Sequence, residues 1–191
     1  MKTLNLKHLF TIVISFTMFS SFAQSETLNL ETSTIHWLGK KIVGQHDGFI
    51  KLKSAEITEE NNTITAGSFE VDMTSITCTD LENEKYNQKL VGHLKSDDFF
   101  GVEAFPTSKL VITEASVFEN GVAKVKGDLT IKGKTNAETF ELKKTDKGYT
   151  TQLEIDRTKY GVEHGSASLF SGLGDKAIKD IFTLDIELVS K

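Results

Sequence analysis

The 191-residue sequence predicts an all-β protein, an eight-stranded antiparallel barrel. Apolar and polar residues alternate with a period of two in well-separated stretches, as expected when one sheet face is buried and the other wet. Four such stretches are clean and less regular candidates bring the total to about eight, and the short connections between them carry residues that tolerate positive φ in hairpin turns. Strands with one apolar face must hide both that face and their edges, and closure into a barrel does both.

Residues 1–23 are an address rather than structure. Lys2 and Lys7 precede an apolar run from Leu9 to Phe22, and Ser21 and Ala23 supply the small residues expected before a cut at Gln24. The run is shorter than the ~20 residues that cross a bilayer. The sequence therefore predicts a cleaved secretory signal, a mature barrel domain over 24–191, a periplasmic or secreted location and no stable membrane insertion.

The strands follow in order. Less regular candidates lie at 34–43 and 48–58, and Glu60-Asn61-Asn62 marks the next turn. From Ser68 to Met73, Phe69, Val71 and Met73 alternate with Ser68, Glu70 and Asp72. Strand candidate 108–118 leads through Glu119-Asn120-Gly121 to a clean alternation of Ala123, Val125, Gly127, Leu129 and Ile131 with polar neighbours. Candidate 136–144 is followed by Asp146-Lys147-Gly148 and a strand carrying Tyr149, Thr151, Leu153 and Ile155 on one face. The last strand carries Phe182, Leu184, Ile186 and Leu188.

Two stretches break the pattern. Thr79-Asp80-Leu81-Glu82 reads as a capping box, with Tyr86, Leu90 and Leu94 following at helical spacing, so a short helix is expected near 80–91. The segment from 159 to 180 contains Gly161, Gly165, Gly172 and Gly174, with a brief helical piece expected after Asp175, and loops of that length often serve as lids. The alternative is a plain crossover. Phe170, in mid-segment, is a candidate for the barrel mouth, unless it simply anchors its own loop.

An eight-stranded barrel has an interior wide enough to be filled by side chains or to hold one small ligand. The inward faces predict a lumen lined by Trp37, Phe69, Val71, Val125, Leu129, Phe140, Leu153, Phe182 and Leu184. Small residues on those faces, Gly67, Ala123 and Gly127, either leave the interior unfilled or relieve crowding at bends.

Charge and motif content narrow the function. With 22 Lys+Arg against 27 Asp+Glu, nucleic acid is a poor partner, because its binders need a clustered basic face. The single Cys78 cannot form an intramolecular disulfide and is read as a small filler. His36, His46, His93 and His164 stand at no metal-ligand spacing, so no metal or other cofactor is expected. Nucleophile-elbow, P-loop and zinc-protease motifs are absent from the sequence. Arg157, the single Arg, is expected to pair with Asp72 or Asp156, or to meet an anionic head group. Whole-chain acidity favours a neutral head group over a diphosphate.

Seven segments, taken together, resemble the successive motifs of the YceI-like family. They are His36–Lys40, Gly44–Gly48, Gly67–Ile76, His93–Phe100, Phe105–Thr107, Gly127–Gly133 and Ile155–Gly161, in family order over nearly the whole mature chain. One departure is Thr135-Asn136-Ala137-Glu138, where the family often has Thr-Lys-Pro-Val, which weakens the turn expected there. The resemblance implies an exported lipocalin-like barrel holding a long apolar chain, typically a polyisoprenoid such as a quinone tail. A fatty amide is a related ligand class, and the function expected is sequestration or transport. The family offers no invariant catalytic set to carry over. The rival expectation is a hydrolase or isomerase on a small apolar substrate using His93 or His46 with an Asp. Oligomeric state is left open, a homodimer included.

Overall fold

The computed structural model describes residues 24–191. The expected signal segment lies outside the described residues. Nine strands form one sheet: β1 (Gln24–Thr27), β2 (Thr34–Lys40), β3 (Gln45–Glu60), β4 (Thr63–Asp72), β5 (Thr107–Ala115), β6 (Val122–Ile131), β7 (Lys134–Thr145), β8 (Gly148–Asp156) and β9 (Ile181–Val189). Each strand from β2 to β9 pairs antiparallel with the next, and β9 returns to β2, so eight strands close an up-and-down barrel. β1 was not expected. It covers the part of β3 beyond the reach of β2, where Thr27 stands opposite Glu56.

Turn chemistry sets the register. Asn61 and Asn62 adopt φ of +50° and +61° between β3 and β4, and Asn120 with Gly121 does the same between β5 and β6. The turn between β6 and β7 is Lys132-Gly133, at φ +50° and +74°. Thr135–Glu138 therefore lies within β7, and its departure from the family pattern falls on a strand rather than on the turn. The long β3 pairs β4 through two register shifts, at Leu52/Ser54 and Thr58/Glu59, and such irregularities bend a strand around a barrel.

The helix α1 spans Glu84–Lys95, four residues later than the sequence suggested at each end. Its N-cap is Asn83, whose side chain accepts from the Tyr86 N–H. The box at Thr79 does not form, because that hydroxyl is spent on the backbone oxygen and carboxylate of Asp47. Of the three apolar helix residues, Leu94 is buried and Leu90 packs on the core, but Tyr86 is exposed.

The 159–180 segment is not an open loop. It contains 3-10 turns at Arg157–Tyr160 and Gly174–Lys176 and bridges of Ile178 to both Lys41 and Ser166. α1, the 40–45 hairpin and this segment all lie at one end of the barrel. The other end is packed shut, with Phe118 stacked on Tyr149 and the Lys144–Glu59 ion pair at 2.6 Å beside them.

Candidate functional site

A cavity of about 330 Å³ runs within the barrel and reaches the α1 end. Its walls follow from strand alternation: Ile35 and Trp37 on β2, Phe69 and Val71 on β4, and Leu153 and Ile155 on β8 face inward while their neighbours face out. Of the expected lumen residues, Trp37, Phe69, Val71, Leu129, Phe140, Leu153, Phe182 and Leu184 line this cavity together.

Val125 does not. It is fully buried, but it packs in the solid core outside the cavity wall, beside Phe140 on β7. Alternation assigns a face and says nothing of depth along the barrel axis, which is why it could not separate Val125 from Leu129. The small residues Gly67, Ala123 and Gly127 are also off the lining. A Cβ at Gly67 would lie 2.5 Å from Ile112 Cδ1, and one at Gly127 would lie 2.9 Å from Leu110 Cδ1. These glycines make room for β5 side chains rather than for a ligand.

Lumen residues missed from sequence include Ile131, Ile155 and Ile186 on regularly alternating strands, and also Ile50 and Leu52 on β3, Leu110 and Ile112 on β5 and Ile178, which lie in irregular stretches. The β3 and β5 register shifts break the period there.

Trp37 anchors the mouth. Its indole N–H donates to the Thr77 carbonyl at 2.9 Å, and the chain from Thr77 to Thr79 continues along the β3 edge that β4 vacates after Asp72. Close approach is possible because Gly48 stands opposite Trp37: a Cβ there would come within 2.0 Å of the Thr77 oxygen.

Arg157 reaches the cavity wall but is itself buried, and it pairs with neither Asp72 nor Asp156. Those two carboxylates instead accept from Thr74 and Thr158 and start the 3-10 turns after β4 and β8. The guanidinium donates to the carbonyls of Lys179, Val162 and Ile178 and lies 3.5 Å from Asp180. It also sits over the Phe99 ring. Phe170 is about half exposed and lies off the lining, so it does not plug the mouth.

The histidines are partly gathered. His46 Nδ1 lies 2.8 Å from Asp80, and His36 Nε2 lies 2.9 Å from Asp47. Burial works to raise Asp80, but hydrogen bonds from His46, Cys78 and the Asp47 N–H bring its pKa below the usual carboxylate value. His93, at the end of α1, meets His164 edge to face at 4.6 Å between ring centroids, across 71 residues of sequence that no spacing rule spans. With Asp98 they bring three ligating atoms within 4.8 Å of one another, a donor set of the type that could hold a transition metal. Burial depresses the His93 pKa, and His164, Lys41 and Lys89 add to the depression while Asp98 opposes it. Those lysines also oppose a bare cation.

The fold and lumen define a closed β-barrel with an apolar interior open toward one end, the architecture of small-ligand-binding barrels. Residues 27–190 match the YceI-like domain family, and the chain belongs to it. A UPF0312 protein of Staphylococcus aureus (strain bovine RF122) is 32% identical over 150 residues, 73% of this chain and 80% of its own length. Among solved structures, Burkholderia cenocepacia BcnA superposes with TM-score 0.62 at 19% identity, covering 86% of this chain and 99% of that one. A polyisoprenoid-binding domain from Saccharophagus degradans, described as implicated in plant cell wall breakdown, gives 0.59 at 13% identity, covering 89% and 99%. These likenesses bear on fold.

Proposed function

We propose that this chain is an exported binding protein that holds one linear apolar ligand, a polyisoprenoid, quinone tail or similar long-chain lipid, in its lumen for sequestration or transport. The observation that carries the reading is the cavity lining. It is built from aliphatic and aromatic side chains along its walls, and its polar groups are confined almost entirely to the mouth. Burial of apolar area contributes about 25 cal/mol per Å², so a long chain needs few polar contacts to bind, although ordering it opposes part of the gain. The family match and the polyisoprenoid-binding structural neighbour support the same class of ligand. The eight lining residues predicted from sequence form the proposed tail-binding surface. The signal pattern at residues 1–23 supports a periplasmic or secreted location. Of the two histidines in the hydrolase or isomerase alternative, His46 does meet an Asp, Asp80 at 2.8 Å, whereas among the described residues no carboxylate pairs with His93 within 4.0 Å.

The test is mass spectrometry of an organic extract of the protein purified from its native host. A stoichiometric long-chain lipid is expected. Protein that is lipid-free and takes up no tailed probe would overturn the reading.

A further inference from the structure

We propose that the ligand carries an anionic head, a carboxylate or a phosphate, held at the barrel mouth by Lys41 together with the His93–His164 pair while its tail lies in the lumen. The inference rests on the lipid-binding reading above and names the ligand class for that same cavity.

Charge segregation carries it. Acidic residues outnumber basic ones in the chain, 27 to 22, yet among the described residues no Asp or Glu lines the cavity itself, and every titratable residue that does so is a Lys, Arg or His. Two of these are already engaged, His46 by Asp80 and Arg157 by three carbonyls and Asp180.

Lys41 is not. It stands directly opposite Ile178 in a bridge between the 40–45 hairpin and the 159–180 segment. Opposed residues share a face, and Ile178 packs against the core, so Lys41 faces inward. Among the described residues it makes no salt bridge. His93 and His164 stand beside the same opening, and Lys41 and Lys89 both bear on His93. Asp98 is the carboxylate that reaches the pair, from an exposed position outside the lining.

An ammonium and two imidazoles at the end of an apolar tunnel offer several donors. An alcohol or amide oxygen leaves the positive charge unanswered, whereas a carboxylate or phosphate oxygen accepts from them and is strengthened by it. The neutral head favoured by net charge overlooks this local arrangement, because a whole-chain count averages over surface carboxylates that the ligand never meets.

The experiment uses delipidated full-length mature protein and matched probes: oleic acid, oleyl alcohol and oleamide, then farnesyl phosphate and farnesol, with inorganic phosphate alone as a tail-less arm. Acid and phosphate probes are expected to bind at least about tenfold more tightly than the alcohol of the same tail. Lys41→Met should remove most of that preference, and an unchanged thermal unfolding midpoint without ligand reports that the variant is folded. Equal affinity for acid and alcohol, or a preference unmoved by Lys41→Met, would overturn the proposal. So would inorganic phosphate binding as tightly as farnesyl phosphate. Loss of the preference in EDTA would assign the head instead to a metal on His93, Asp98 and His164. If no tailed probe binds, the lipid-binding reading itself falls.

Discussion

The Arg157 guanidinium lies 3.5 Å from the Asp180 carboxylate, with Arg157 only 2% exposed and its donors spent on the carbonyls of Val162, Ile178 and Lys179. One side chain at the end of β8 thus fastens the whole returning segment to the barrel before β9 begins. Arg157→Met keeps much of the stem packing but leaves Asp180 without its cation and three carbonyls without a donor. Breaking a buried pair by removing one partner costs about 3 kcal/mol or more. Urea unfolding should show a loss of that size, and Arg157→Lys should recover only a minor part of it, because a lysine cannot reproduce the planar fork.

Leu129 and Val125 are near neighbours on β6 and both buried, yet only Leu129 lines the cavity. Leu129→Asp places a carboxylate in the apolar lumen and should abolish retention of a tailed ligand, with a stability loss of about 3 kcal/mol. Val125→Ala opens space in the solid part of the core and should cost about 2 kcal/mol while leaving ligand affinity intact. Paired thermal unfolding and binding measurements separate the two. Weakened binding in Val125→Ala at unchanged stability would place the cavity elsewhere.

Two glycines should respond in opposite directions. At Gly48 a Cβ would meet only backbone, the Thr77 oxygen and carbon at 2.0 and 2.8 Å and the Cys78 Cα at 2.9 Å, none of which can swing aside. Gly48→Ala must displace the 77–79 segment and should cost about 3 kcal/mol. Because the Trp37 indole is bound to Thr77 and is the single tryptophan, its fluorescence should shift to the red. In α1, a Cβ at Gly92 meets nothing within 4 Å, so Gly92→Ala should stabilise the protein by about 0.5–1 kcal/mol.

Much of this was legible in the chain. Four of the eight barrel strands could be read from clean period-two alternation and the other four from less regular runs between turn signals, and the Asn-Asn and Asn-Gly turns could be read because few other residues accept φ near +55° twice in succession. The start of α1 was misplaced because Thr79-x-x-Glu82 satisfies the capping pattern locally, while Asp47 competes for the Thr79 hydroxyl from 32 residues away. Arg157 drew the wrong partners for a related reason. Asp72 and Asp156 were expected as its partners, but short turns claimed their oxygens first. The cluster at the mouth was invisible, because His93, His164 and Lys41 meet only after the 159–180 segment folds back over α1.

His93 is expected to set the neutral-range pH response of this end of the barrel. Burial depresses its pKa below 6.5, helped by His164, Lys41 and Lys89 and opposed by Asp98. Between that depressed value and 6.5 the unfolded chain takes up a proton on this ring that the folded chain does not, so the unfolded state gains as pH falls. Stability attributable to His93 is therefore full above about pH 7 and is lost as pH drops through 6.5 toward the folded value. The depressed carboxylates act in the same direction but lower down. Hydrogen bonds from Thr74 hold Asp72 below its ordinary value, and Asp180, raised by burial, is brought down by Ser166, Ser168 and Arg157, so their contributions are lost only as pH falls through the acid range below about 4. The two windows can be separated. Between pH 7.5 and 5.5 the ligand-free protein should lose Tm, and His93→Gln, which cannot take up the proton, should lose distinctly less. Below pH 4 the two should fall together. Parallel curves throughout would show that another group governs the mouth near neutrality, whereas convergence only in acid would assign the neutral-range transition to His93.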